Sequence, residues 1–113
     1  MRRDADRLQD MLDAIAAIRR RAMGGRDAFD ADEMLQVWCL RHIEVIGEAA
    51  ARVSEEVRAR HPDVPWQEIV GMRNALVHGY FDVDWQEVWN VVDRDLGLLK
   101  DSLERALAGE QSE

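Results

Sequence analysis

The sequence predicts an all-α protein, an antiparallel bundle of about four helices with a long second helix. Apolar residues recur at helical spacing in four long segments, and turn-forming residues never fall at the spacing of a hairpin. The chain has 113 residues, 47% hydrophobic and 34% charged, which is typical of one globular domain. We therefore expect a single domain over residues 1–108 and a frayed polar tail over residues 109–113.

The first predicted helix has an apolar stripe on one face and ends before Gly24 and Gly25, which are helix stop signals. The stripe consists of Leu8, Met11, Leu12, Ile15 and Ile18. Arginines gather after it, where cations interact favourably with the helix dipole. A role of this cluster in phosphate binding is the alternative. The cluster consists of Arg19, Arg20, Arg21 and Arg26.

The second predicted helix begins at Asp30, which forms a capping-box pattern with Glu33. Its apolar periodicity continues to about Arg60, where a following proline ends it. Gly47 in its middle is expected to allow close packing of another helix, because glycine otherwise costs a helix about 1 kcal/mol relative to alanine.

The second helix is also apolar on more than one face, which predicts a partner helix from a second copy of the chain. The residues that cannot all point into one bundle are Met34, Val37, Trp38, Cys39 and Leu40. A homodimer is therefore expected. The alternative is a monomer in which this helix lies at the centre of the bundle.

The third and fourth helices have clear start signals. The third starts at Pro65 and runs to about His78, before Gly79. The fourth starts with Asp84 as N-cap and Glu87 three residues later. The apolar stripe of the fourth helix consists of Trp85, Val88, Trp89, Val92, Leu96, Leu99 and Leu103.

Composition excludes several classes of function. A formal net charge of −8 excludes a basic surface over the whole molecule for nucleic acids. The apolar runs are too short to span a bilayer, and no secretory pattern opens the chain. The single cysteine, Cys39, excludes an intramolecular disulfide, and no Cys/His spacing matches a zinc site. We expect a cytoplasmic protein with no metal, no other cofactor and no membrane partner.

Reactive side chains gather only in residues 71–80, which contain Arg73, Asn74, His78 and Tyr80. Asn74 and His78 are four residues apart, so on a helix they would share a face and the amide could orient the imidazole. Arg73 lies about 140° around such a helix from His78. The two would meet only if the backbone turned at the helix end, or if a two-fold axis brought both pairs to one cleft.

An arginine and a histidine in one cleft suit phosphoryl transfer on RNA. The Arg73 guanidinium can stabilise the charge on a phosphorane-like oxyanion, and His78 can exchange a proton near neutral pH. At a helix C-terminus the cationic imidazole is favoured. RNA supplies the 2′-hydroxyl as nucleophile, so a 2′,3′-cyclic phosphate and a 5′-hydroxyl are the expected products. On spacing alone, an ordinary helix end is the alternative.

The order Arg73-Asn74, three residues, His78-Gly79-Tyr80 resembles the signature of the HEPN superfamily. The wider chain is similar to its HepT-like branch: residues 43–50 resemble the long second helix, residues 63–74 the approach to the motif, and residues 78–81 its exit. The resemblance implies a dimeric, metal-independent endoribonuclease. It implies that Arg73 and His78 are the catalytic pair and that Asn74 is the supporting polar residue.

The resemblance also implies regulation by a partner. Tyr80 matches a tyrosine that is adenylylated by a minimal nucleotidyltransferase antitoxin, so the pair resembles a toxin–antitoxin system. The added anion would block RNA sterically and by like charge. Two alternatives stay open: a non-catalytic RNA- or nucleotide-binding subunit of a nucleotidyltransferase, and a purely structural four-helix dimer.

Overall fold

The computed structural model describes residues 3–79 and 82–111, and in that part of the chain it confirms the all-α class. The helices are α1 (Asp4–Arg21), α2 (Gly25–Ala31), α3 (Glu33–Ala51), α4 (Glu55–Arg60), α5 (Trp66–Leu76), α6 (Trp85–Asn90) and α7 (Leu96–Gln111). A π-helical turn, Val91–Asp95, joins α6 to α7. An isolated antiparallel bridge between Val77 and Val83 is the single β contact among the described residues.

Helix α3 lies at the centre of the fold, with α1 packed on one side and α5 on the other, while α7 packs against α1. The core between them consists mainly of aliphatic side chains, and its buried aromatic rings among the described residues are Phe29, Trp66 and Trp89. Its largest fully buried members include Leu8, Met11, Ile15, Ile18, Phe29, Ile43, Ile46, Leu96 and Leu103. This arrangement leaves one face of α3 between α1 and α5 open to solvent.

The predicted long second helix is wrong in its extent, because α3 ends at Ala51 and a separate helix, α4, begins at Glu55. The Ser54 side chain caps α4 by accepting from the backbone N–H of Val57. Both the backbone N–H and the hydroxyl of Ser54 donate to the carboxylate of Asp4, at 2.9 and 2.7 Å. A capping serine and a contact 50 residues distant in sequence therefore end the helix.

The predicted start of this helix at Asp30 is also wrong. The residues after Gly24 form the short helix α2, which buries Phe29 against Trp89 at a ring-centroid distance of 5.2 Å. The N-cap of α3 is Asp32, whose side chain accepts from the backbone N–H of Leu35 at 3.1 Å. Asp30 lies instead within α2, where Phe29 is buried, and Asp32 caps the next helix.

The C-terminal region follows its predicted start signal and continues further than expected. The Asp84 side chain caps α6 by accepting from the backbone N–H of Glu87 at 3.1 Å. Fraying was expected from Gly109, but α7 remains helical through Gln111. The physical reason is Glu110, which pairs with Arg60 and the ring of a neighbouring histidine. Within the described part of the chain, no helix is both long enough and apolar enough to cross a membrane.

Candidate active site at the end of the fifth helix

The fifth helix ends two residues before His78, not at it. Leu76 is its last residue, and Val77 has extended backbone angles, φ −114° and ψ 112°. The backbone N–H of His78 donates to the carbonyl of Asp82 at 2.7 Å instead of continuing the helix. The predicted helix face shared by Asn74 and His78 is therefore absent.

The loop that carries His78 is closed at its base by backbone bonds. Val77 and Val83 form the antiparallel bridge, and the N–H of Asp84 donates to the carbonyl of Leu76 at 2.8 Å. The backbone thus turns at the end of α5. Such a turn is one of the two conditions under which Arg73 and His78 were expected to meet. The His78 side chain is exposed there.

The turn continues through Gly79, whose φ of +123° is a conformation that L side chains rarely adopt. Glycine is therefore required at this position to redirect the chain after the histidine. The predicted modification site, Tyr80, follows immediately and lies outside the described residues.

Arg73 lies one turn before the end of α5, and its side chain is 54% exposed. Its Nε donates to Oε2 of Glu44 on α3 at 2.9 Å. Neither terminal nitrogen of Arg73 hydrogen-bonds to another residue in the ranges 3–79 and 82–111. The Nη1/Nη2 pair of the guanidinium is therefore available for a bidentate ligand such as a phosphodiester. Asn74 is exposed beside it.

Glu44 is the part of this site that the sequence analysis missed. It lies one turn before Gly47, where α3 comes so near to α5 that a Cβ on Gly47 would be 3.2 Å from the carbonyl oxygen of Ile69. The predicted role of Gly47 in close helix packing is confirmed. Glu44 lies three residues before Gly47 and therefore borders α5 as well. This spacing from a mid-helix glycine is the sequence feature that could have identified Glu44.

An exposed stripe on α3 leads to Glu44. Its residues recur at intervals of three and four, so they lie on one face of the helix. We call this the α3 stripe: Met34, Val37, Arg41, Glu44 and Glu48. Met34 is 82% exposed and Val37 54%, whereas Trp38 beside them is half-buried and donates from its indole nitrogen to the carbonyl of Ala17. Part of the surplus apolar surface on this helix therefore lies inside the fold, whereas the apolar side chains of the α3 stripe are exposed to solvent.

The site contains no preformed metal centre in the part of the chain described. No group of three or more His, Cys, Asp or Glu side chains in residues 3–79 and 82–111 is arranged to hold an ion. The charged groups at the end of α5 include the Arg73 guanidinium and the carboxylate of Glu44, which is 26% exposed. Asp82 and Asp84 lie on the adjoining loop, where their backbone groups bond to His78 and Leu76. The arrangement can bind an anion through the free nitrogens of Arg73, with an exposed imidazole on the adjoining loop.

Comparison with known proteins assigns the family. The model of the family described as "Ribonuclease HepT-like" matches residues 11–106. The chain is 35% identical over 102 residues to the "Probable ribonuclease HepT" of Thermococcus cleftensis, which covers 88% of this chain and 92% of the relative. It is 37% identical over 76 residues to the "Putative RNase MJ1380" of Methanocaldococcus jannaschii, covering 67% of this chain and 70% of the relative.

A third relative, the "Putative RNase TTE0752" of Caldanaerobacter subterraneus, is 35% identical over 83 residues, 74% of either chain. No solved structure matches the chain significantly. The resemblance inferred from residues 43–50, 63–74 and 78–81 is confirmed at the level of the family. This chain belongs to the ribonuclease HepT-like family.

Proposed function

We propose that this chain is a metal-independent endoribonuclease in which Arg73 and His78 act on the scissile phosphodiester of RNA. The observation that carries the proposal is the Arg73 side chain, which is exposed, held at Nε by Glu44 and, among the described residues, without a partner at either terminal nitrogen. This fork matches the two non-bridging oxygens of a phosphodiester. The activity fits the cytoplasmic location expected from the single cysteine.

In the proposed reaction, the 2′-oxygen forms a bond to phosphorus while the bond from phosphorus to the 5′-oxygen breaks. The 2′-hydroxyl loses its proton and the 5′-oxygen gains one, so the products are a 2′,3′-cyclic phosphate and a 5′-hydroxyl. His78 transfers one of these protons, because an imidazole can act as a general acid or base. Arg73 stabilises the negative charge that develops on the non-bridging oxygens, and Asn74 supports the site as a polar neighbour.

We infer that the protein acts as a homodimer that associates through the α3 stripe. Two exposed apolar side chains, Met34 and Val37, are followed along it by charges of both signs. A two-fold axis across the stripe would place Arg41 of one protomer against acidic residues of the other. Because Glu44 belongs to the stripe and binds Arg73, such a dimer would bring two copies of Arg73 toward one cleft. Val37→Glu should therefore give a monomer by light scattering and abolish cleavage.

The activity is proposed to be that of a toxin, controlled by a minimal nucleotidyltransferase antitoxin that adenylylates Tyr80. The modification would add a bulky anion two residues after His78 and block RNA by sterics and like charge. Mass spectrometry of the co-expressed protein should find an AMP increment on the Tyr80 peptide. The increment should be absent from Tyr80→Phe.

Cleavage of a labelled RNA, followed with and without EDTA, tests the ribonuclease proposal. The wild type should cut in both conditions and leave 2′,3′-cyclic phosphate ends. His78→Ala should lower the rate by about 100- to 10,000-fold, the usual contribution of a general acid or base. His42→Ala is the matched control, because the His42 ring belongs to α3 and packs against Trp38 at a centroid distance of 4.3 Å. Unchanged cleavage by His78→Ala contradicts the mechanism.

The same assay separates the two alternatives. Binding of RNA or nucleotide without cleavage at any protein concentration favours a non-catalytic subunit of a nucleotidyltransferase. Binding of neither, with silent Arg73 and His78 substitutions, favours a structural dimer.

A further inference from the structure

We propose that Glu44 is a positioning residue for RNA cleavage: it holds the guanidinium of Arg73 through Nε so that the terminal nitrogens face the scissile phosphodiester. This inference rests on the proposed ribonuclease function. It assigns a role to a residue of α3 that lies 29 positions from Arg73 in sequence.

The choice of nitrogen carries the argument. A guanidinium can present either Nε with one terminal nitrogen or both terminal nitrogens to a planar anion. Glu44 takes Nε at 2.9 Å, which leaves the second of these faces whole. A carboxylate bound to both terminal nitrogens would instead consume the donors that a phosphodiester needs. The observed geometry orients the arginine without occupying its fork.

The packing of α3 against α5 makes this orientation a fixed feature. Gly47 lets the two backbones approach, with the Ile69 carbonyl 3.2 Å from where a Cβ would lie. Glu44, one turn earlier, is only 26% exposed. By contrast, Nη1 of Arg41 lies 3.7 Å from Oε1 of Glu48 on the same stripe, and both side chains are about 60% exposed, as in an ordinary surface pair. The Glu44–Arg73 pair is the shorter and more enclosed of the two.

The charge of Glu44 gives the proposal a distinctive signature. A carboxylate beside Arg73 repels RNA, so its removal should leave RNA binding unchanged or strengthen it. Loss of the Nε hydrogen bond should at the same time leave the guanidinium free to rotate away from the productive geometry. Glu44→Gln should therefore lower kcat while KM stays equal or falls.

The experiment measures kcat and KM for RNA cleavage by the wild type, Glu44→Gln and the control Glu68→Gln. Glu68 is an exposed carboxylate on the same helix as Arg73, so its substitution makes the same change in net charge. We expect Glu44→Gln to lower kcat by about 10- to 100-fold and Glu68→Gln to leave it unchanged. A Tm measured in parallel shows that each variant is folded.

A double variant separates positioning from a structural role. In Arg73→Lys, the lysine at position 73 has no guanidinium for Glu44 to orient, so adding Glu44→Gln should cause no further loss of kcat. If Glu44→Gln fails to fold, Glu44→Asp replaces it, since the shorter side chain withdraws the carboxylate and keeps the charge. It should lower kcat at unchanged KM.

The possible outcomes are distinct. A wild type that cleaves RNA while Glu44→Gln has the same kcat overturns the positioning role alone. An equal loss of kcat when Glu44→Gln is added to the wild type and to Arg73→Lys also overturns it, as does a rise in KM at constant kcat. A wild type that never cleaves RNA overturns the proposed function and this inference together.

Discussion

Two interhelical arginine–glutamate pairs in this molecule use the same chemical groups differently. Arg60 on α4 binds Glu110 on α7 through both Nε, at 3.0 Å, and Nη2, at 2.7 Å. Arg73 on α5 binds Glu44 on α3 through Nε alone among the described residues. The first pair, which we call the anchoring pair, uses the side-on face of its guanidinium, whereas the second uses Nε alone. Two bonds to one carboxylate therefore fix Arg60, and a single bond among the described residues leaves more of the Arg73 donors for a ligand.

The anchoring pair is reinforced by a third group. The Nε2 of His61 lies 2.6 Å from Oε2 of Glu110, and the Glu110 side chain is only 13% exposed. The hydrogen bond from Arg60, followed by that from His61, lowers the pKa of Glu110 to about 2. The same pairing raises the pKa of Arg60. These contacts fasten the end of α7 to α4.

Replacing each of these two arginines by alanine should affect a different property, and the loss of RNA cleavage in the Arg73 variant is the largest effect we expect. Arg73→Ala should lower RNA cleavage by about 100- to 1000-fold, as for loss of a group that stabilises transition-state charge. Its Tm should change little, because among the described residues the side chain loses a single exposed hydrogen bond, to Glu44, whereas Arg60 loses two to Glu110. Arg60→Ala should lower Tm and keep cleavage. A loss of cleavage in Arg60→Ala as large as in Arg73→Ala would contradict the distinction.

Glu110→Gln should destabilise the protein in a pH-dependent manner. The pKa of Glu110 falls from 4.5 to about 2 on folding, so its stabilisation is present above pH 4.5 and is lost as the pH falls toward 2. At pH 7 the variant should lose on the order of 1 kcal/mol, or about 4 °C in Tm. Urea unfolding at steps between pH 7 and pH 2 should show the two proteins converging.

Glu104→Gln is the matched control for this series. Glu104 is 52% exposed and pairs with Lys100 on its own helix at 3.3 Å. Such a pair contributes about 0.3–0.5 kcal/mol, so its difference from the wild type should stay small at every pH. Stability curves for Glu110→Gln that run parallel to the wild type down to pH 2 would refute the depressed pKa.

The smallest expected effect comes from Gly109→Ala. A Cβ at this position would lie 2.9 Å from Cε1 of His61, so the ring must move and its bond to Glu110 must lengthen. The pKa of Glu110, followed by NMR, should rise toward its ordinary value. Gly97→Ala is the control, because nothing lies within 4 Å of a Cβ there. It should only gain helix propensity, up to about 1 kcal/mol. A rise in the Glu110 pKa in Gly97→Ala but not in Gly109→Ala would contradict the role given to the contact between residue 109 and His61.

The local signals in the sequence predicted about four helices, whereas the described residues form seven: α2 and α4 were missed as separate helices, and the predicted fourth helix is divided into α6 and α7. The N-cap at Asp84 is confirmed, and it could be predicted because its partner, Glu87, is three residues away. The close approach at Gly47 is also confirmed, and it could be predicted because glycine in mid-helix has few other uses. The end of α3 was missed since the contact between Asp4 and Ser54 spans 50 residues. Periodicity alone cannot detect such a contact.

The family and its motif were recognisable from the sequence, whereas the geometry of the site was not. The helix was expected to continue to His78, and a backbone bond to Asp82 ends it earlier. Glu44 escaped notice because its partner, Arg73, lies on another helix. A short-range pattern identifies which residue types are present, but the orientation of a guanidinium depends on tertiary packing.

The clamp at the base of the histidine loop consists entirely of main-chain atoms: the N–H of His78 with the carbonyl of Asp82, and the N–H of Asp84 with the carbonyl of Leu76. Main-chain bonds do not depend on which side chains the loop carries. Apart from Gly79, whose φ of +123° requires glycine, a change of loop side chain therefore removes none of these tethers, and the loop can acquire new recognition properties while its histidine keeps its backbone position.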